Sequence, residues 1–242
     1  METPGLEDQA PQETIMRTRT VFAGLAAWAL ITVTGCASHK PAGESICDSE
    51  KGFVTIFDGT SMDGWEIYNE CGDANKTDDF HLENGVLACK AYGGFWFRYK
   101  EPLTDFVVQL EFKTAKDSNS GVCIHTTKEG APPYTGFEVQ ILDDHGQHPN
   151  RHSCGAIYDI VTPMYVATKP TGEWNEMEIS CRGSHTIVIL NGMKVIDTDF
   201  SKLTKPIGKF NFPYSALPKT GYLALQDHLS PIWYRNIRLK KL

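Results

Sequence analysis

Five side chains in three short segments could do chemistry together. In Gly136-Phe-Glu-Val-Gln-Ile-Leu142 the apolar Phe137, Val139 and Ile141 alternate with Glu138 and Gln140, so a strand there places the carboxylate and the amide on one face. In Gly121-Val-Cys-Ile-His125 the same alternation sets Cys123 and His125 opposite Val122 and Ile124. In Gly221-Tyr-Leu-Ala-Leu-Gln-Asp-His228 it sets Tyr222, Gln226 and His228 opposite Leu223 and Leu225. A carboxylate and two imidazoles can take up and return protons, and two amides can hold a hydrogen-bonding ligand. A solvated sheet face would carry Thr, Lys and Ser instead. If the three strands are neighbours, this set marks a binding groove.

A second group of titratable residues carries less. The loop Asp144-His-Gly-Gln-His-Pro-Asn-Arg-His152 holds His145, His148 and His152, and imidazole with carboxylate can bind a transition metal. Its spacing fits no metal motif, and Pro149 and Asn150 would break a helix that aligned them. A solvated loop is the expectation, with Arg151 free to meet a substrate oxygen or a surface carboxylate.

The elements that must position these residues are strands. From Gly52 onward, short runs rich in Val, Ile, Phe, Tyr and Thr are punctuated by Gly, Pro, Asn and Asp, with no 3.6-residue stripe. Good examples are 53–57, 85–90, 106–114, 121–126, 136–142, 175–182, 185–190, 194–199, 221–226 and 232–240, among about ten or more strands. Asn191-Gly192 between two apolar runs predicts a tight hairpin. Strands at this spacing predict a single all-β domain built as a two-sheet sandwich. Trp65 and Trp174 are expected in its core. The segments 113–117, 168–172 and 202–209 read as solvated turns or edges with no chemistry, and 210–218 reads as an aromatic insertion that rims the cleft.

With 242 residues, 41% hydrophobic, and a net charge of −7, the chain is an ordinary globular protein without the basic footprint of a nucleic-acid binder. Residues 1–36 read as a signal peptide: Arg17 and Arg19 precede an apolar run, Val21 to Val33, that is too short to span a bilayer as a helix. The run ends in Thr34-Gly35-Cys36, which resembles a bacterial lipobox with lipidation at Cys36. Met16 stands just before the basic pair and is an alternative start. Residues 37–50 are a polar tether and 51–242 the folded domain. The expected location is therefore the cell envelope, with the membrane reached only through the lipid. Cys47, Cys71, Cys89, Cys123, Cys154 and Cys181 follow, spaced without any CxxC pair. Export permits disulfides; Cys47 with Cys71 is the first candidate, and Cys123 reads equally well as a buried thiol.

Several segments in order resemble one family. They are Phe53-Val-Thr-Ile-Phe-Asp-Gly-Thr-Ser-Met-Asp-Gly-Trp65, Asn119-Ser-Gly-Val-Cys-Ile-His125, Glu138-Val-Gln-Ile-Leu-Asp143, Gly172-Glu-Trp-Asn175, Leu225-Gln-Asp-His228 and Tyr234-Arg-Asn-Ile237. Together they look like the 3-keto-disaccharide hydrolase domain family, from about Gly52 to Leu242. The resemblance implies a concanavalin A-like jelly-roll sandwich of two antiparallel curved sheets, with a ligand on the concave face. It also implies cleavage of 3-keto-glycosides that a separate sugar 3-dehydrogenase has produced.

A ketone at position three acidifies the proton on the neighbouring carbon, and the glycosidic oxygen sits one carbon further on, so elimination needs a base, an oxyanion stabiliser and a general acid. On this resemblance Glu138 is the base or a ligand of a divalent metal, and His125 and His228 serve as acid, oxyanion donor or ligand. Gln140 and Gln226 hold sugar hydroxyls, and Trp96 or Tyr158 stacks on the ring. Asp143 either binds substrate or fixes the following loop. Two alternatives use the same fold: a non-catalytic carbohydrate-binding module, and a conventional glycosidase, which would need paired carboxylates where this strand offers Glu138 alone.

Overall fold

The computed structural model describes residues 51–69 and 78–242. The signal segment with Cys36, the tether, Cys47 and Cys71 lie outside the described residues. Thirteen strands follow in order: β1 (Val54–Phe57), β2 (Trp65–Asn69), β3 (Phe80–Glu83), β4 (Val86–Cys89), β5 (Phe95–Tyr99), β6 (Phe106–Thr114), β7 (Asn119–Thr126), β8 (Phe137–Leu142), β9 (Trp174–Arg182), β10 (His185–Leu190), β11 (Met193–Asp199), β12 (Tyr222–Gln226) and β13 (Ile232–Lys241). Among the described residues, helix is confined to short turns such as Pro132–Thr135.

The strands form two antiparallel sheets, the jelly-roll sandwich expected. One has eight strands, ordered β11-β10-β9-β6-β13-β4-β3 with β1 also on β13; the other has five, ordered β2-β5-β12-β7-β8. Non-consecutive neighbours such as β6 beside β13 and β5 beside β12 bring distant segments together. Between the sheets lie Phe57, Trp65, Phe97, Phe106, Phe112 and Phe137, all nearly inaccessible. Trp65 stacks on Phe97 at 4.6 Å, and its indole N–H donates to Ile56 O at 2.7 Å, so its polar edge is satisfied. Trp174 is not in the core: it shares the solvent-side face of β9 with Glu176 and Glu178, and the Arg235 guanidinium lies 4.0 Å from its ring centre.

The two sheets differ in a way that locates the site. β6 alternates buried and half-buried residues along its whole length, as a sheet with one wet face should. β7 and β8 are buried almost residue by residue. Their second face is covered by chain rather than water, and the polar residues there need protein or ligand partners. The Asn191-Gly192 turn is as expected, with φ of 50° and 78° joining β10 to β11 through the Leu190–Met193 pair.

Candidate active site

Strand register places the polar residues of the five-stranded sheet in rows. Arg98 pairs with Ala224, Ala224 with Cys123, and Cys123 with Glu138. Alongside, Tyr68 pairs with Trp96, Trp96 with Gln226, and Gly121 with Gln140. Trp96, Cys123 and Ala224, with Tyr68 against them, form an apolar cluster separate from the core. The small residues make a floor between Arg98 at one end and Glu138 at the other. Arg98 is held by Glu66 at 2.7 Å and by Lys128 O, with its guanidinium 4.3 Å from the Tyr68 ring centre.

Glu138 is only 5% exposed. Its carboxyl lies over Gly121, where an added Cβ would come within 2.3 Å of Oε1. Its charged partner is Lys209, whose Nζ is 3.5 Å from Oε2. The rings of Tyr158, Tyr134 and Phe210 stand 5.0, 5.5 and 5.8 Å from that ammonium. Burial pushes the Glu138 carboxyl above the usual glutamate range, while Lys209 and, less strongly, His228 pull it down. Lys209 lies in a stretch that reads as a solvated turn in the sequence, and this is a correction. The turn is pinned at Gly208, whose φ is +62° and where a Cβ would meet Asp159 O at 2.5 Å.

Gln140, Gln226 and Trp96 share the Glu138 face, each at most 6% exposed. Gln140 Nε2 donates to Asn119 Oδ1 at 3.0 Å. Gln140 Oε1, Gln226 Oε1 and Trp96 Nε1 have no protein partner, three such orphans on one face. Tyr158 reaches the site because residues 155–158 lie along the free edge of β8. Gly155 N donates to Gln140 O, Gln140 N to Ala156 O and Tyr158 N to Glu138 O, at 2.8 to 3.0 Å. His228 lies two residues past the end of β12, exposed, and its charge is felt at Glu138.

One expected site residue, His125, lies off the Glu138 face, and two others, Asp143 and Arg151, take the structural one of their two readings. His125 does not join the Glu138 face: two residues of β7, Ile124 and His125, stand opposite one residue of β12, and His125 has φ +53°. This bulge turns the ring to the core side, 5.7 Å from Phe106 and 5.9 Å from Phe137, with Nε2 2.9 Å from Thr104 O. Burial holds its pKa below the usual value, which favours the neutral ring. Asp143 is spent on loops, accepting from Asp117 N at 3.0 Å and from Thr171 Oγ1 at 2.7 Å. Arg151 braces the chain behind Tyr158, donating to Asp159 O at 3.2 Å. His145 and His152 likewise find separate partners, Thr168 O and Asp159, so the histidine loop forms no cluster.

Among the described residues, Glu138 belongs to no group of three or more potential metal ligands, and its charged partner is the Lys209 ammonium. Among the described residues, Asp79, Cys89 and Asp227 could gather round a cation, their ligand atoms lying within 4.8 Å of one another. Two cavities lie elsewhere: a groove of about 650 Å³ on the solvent side of the eight-stranded sheet, lined by Gln109, Glu111, Glu178 and Arg238, and a pocket of about 150 Å³ beside His125 and Tyr214. The larger groove is bounded by side chains already paired with one another, such as Gln109 with Glu178 at 2.7 Å. The unpartnered buried groups on the Glu138 face make it the better candidate. The four described cysteines are free and buried, Cys123 among them.

Known proteins agree with this placement of the fold. The model of the 3-keto-alpha-glucoside-1,2-lyase-like domain matches residues 52–240. A 3-keto-disaccharide hydrolase of Bacteroides thetaiotaomicron is 26% identical over 236 residues, covering 79% of each chain. A crystal structure of a candidate glycosyl hydrolase from Parabacteroides distasonis is 32% identical, with a TM-score of 0.67 over 78% of this chain and 99% of that one. A second structure from that organism, 24% identical with a TM-score of 0.68, covers 83% of this chain and 98% of its own and shares the fold.

Proposed function

Because the chain belongs to the 3-keto-alpha-glucoside-1,2-lyase-like domain family, we propose that it cleaves glycosides whose sugar carries a ketone at position three, with Glu138 as the base. The observation that carries this reading is a single buried carboxylate beside three buried, unpartnered hydrogen-bonding atoms, on Trp96, Gln140 and Gln226. Burial raises its basicity, and no second carboxylate shares its face of β8. That set suits proton abstraction next to a carbonyl better than the paired carboxylates of an ordinary glycosidase.

In the proposed reaction, Glu138 takes the proton from C2 and the electron pair moves onto the C3 oxygen. The enolate returns, the C1–O bond breaks, and the leaving oxygen is protonated by His228 or by water. Addition of water across the resulting enone completes a hydrolysis. Gln140, Gln226 and the Trp96 indole N–H receive sugar hydroxyls, and the half-buried Tyr158 offers a ring surface. The substrate must come from a sugar 3-dehydrogenase, because the chemistry starts from a ketone. Arg17, Arg19, the apolar run and Cys36 support export and a lipid anchor at the cell envelope.

The test is aglycone release from a 3-keto-glucoside and from its unoxidised parent, by the purified domain and by Glu138→Gln. Release from the keto compound alone, lost in the variant, is the expected result. Equal release from the parent, or none from either compound alongside measurable sugar binding, overturns it.

A further inference from the structure

We infer that Lys209 is a catalytic residue: its ammonium receives the negative charge that develops on the ketone oxygen as Glu138 takes the proton. The inference rests on the keto-glycoside reading and names the group that reading leaves open. Elimination through an enolate requires a fixed positive charge or strong donors at the oxygen. His125 faces the core and cannot supply them.

Lys209 has the position and the spare capacity. An ammonium carries three donors, yet among the described residues the only hydrogen-bond partner of Nζ is Glu138 Oε2 at 3.5 Å, the outer limit for such a bond. Its side chain is 10% exposed. Three aromatic rings close around it and offer their faces, which tolerate a cation but accept no proper hydrogen bond. The group is therefore largely desolvated and under-bonded, beside the base. In a 3-keto sugar the acidic C–H and the carbonyl oxygen sit on adjacent carbons, so a base and a donor side by side can engage both.

The charge balance favours the same assignment. Before reaction the site holds a carboxylate, an ammonium and a neutral ketone. After proton transfer it holds a carboxylic acid, an ammonium and an enolate. The negative charge has passed from Glu138 to the substrate oxygen, and Lys209 is the counter-ion at both stages. No charge is created in a low-dielectric site, which keeps the barrier low. A parent sugar with a hydroxyl at position three develops no such oxyanion. Discrimination then appears in kcat rather than in KM.

Two measurements test this. The first is turnover of a 3-keto-glucoside by Lys209→Met and Lys209→Arg, with thermal unfolding followed to establish folding. The second is deuterium uptake from D2O at the carbon beside the ketone in 3-keto-1-deoxyglucose, which has no leaving group and reports proton abstraction alone. Lys209→Met should lose on the order of 10²–10³-fold in kcat at every pH, with KM little changed and uptake lost in parallel, while Lys209→Arg retains part of both. Uptake at the wild-type rate in Lys209→Met overturns the inference and leaves the keto-glycoside reading standing. Full recovery of Lys209→Met at high pH also overturns it, since Lys209 would then serve only to keep Glu138 ionised. A borohydride-trapped adduct at Lys209 overturns it in favour of a covalent imine. If the wild type releases no aglycone and takes up no deuterium, the keto-glycoside reading itself fails.

Discussion

Gly121 lies beneath the Glu138 carboxyl, and a Cβ there would sit 2.3 Å from Oε1 and 2.8 Å from Cγ. The glycine is needed for space, because its φ is not in the left-handed region. Gly121→Ala should therefore displace Glu138 with modest loss of stability, since the clashing atoms belong to one side chain and not to the backbone. Misplacing a reacting group by about 1 Å can cost ~10²-fold in rate. A fall of that order in kcat, with an unfolding midpoint within a few degrees of wild type, is the expected result of assay and melt together.

Burial raises the Glu138 pKa above its ordinary 4.5. A base works only when ionised, so kcat/KM for a keto-glycoside should climb with pH through a limb centred above 4.5, not at it. Lys209 counters part of the rise, and its replacement by Met should move the limb to higher pH. Measured pH–rate profiles of the two proteins decide this.

Asp79 and Asp227 crowd each other with Cys89 and, among the described residues, have no basic partner. Asp227 accepts from Gly93 N and from Leu229 N, Asp79 accepts from Tyr92 N at 3.2 Å, and together they tie the 91–94 loop to the turn that bears His228. Burial, followed by the Asp227 charge, raises the Asp79 pKa from 3.8 to about 6. The folded chain thus holds a proton that the unfolded chain releases, so stability falls as pH rises from 3.8 to about 6. Urea midpoints measured across that window should decline, and Asp79→Asn should flatten the slope.

Ser120 Oγ lies 2.6 Å from Gln226 O and 2.6 Å from Tyr234 Oη, inside the sandwich. Ser120→Ala would leave the inaccessible Tyr234 hydroxyl unpaired, at a cost of about 1–3 kcal/mol. Chemical unfolding of Ser120→Ala should show that loss, and of Ser120→Ala with Tyr234→Phe a smaller one.

The strands that alternate or end in strong turn residues were readable, and so was the face shared by Glu138, Gln140 and Gln226. β5 was not, because Phe95-Trp-Phe-Arg-Tyr99 is buried on both faces and carries no period-two contrast. It is the strand that supplies Trp96 and Arg98. The reversal of His125 depends on one non-glycine residue at positive φ, for which β7 carries no turn residue at that point. Lys209 was hidden by its neighbours, since Lys202, Lys205 and Lys209 look alike in a polar stretch. Only closure of the chain over Glu138 singles one out, and the nearest local signals were Gly208 and the aromatic Phe210.

The segment 155–158 takes up the outward-facing backbone groups of β8, whose other side is held by β7. An open border on a sheet invites pairing with another molecule and sliding of the strand along its partner. Here the border is sealed, so the strand bearing Glu138 is fixed in register and offers no template for aggregation. For the exported protein proposed above, the same seal guards both the geometry around Glu138 and the protein's solubility.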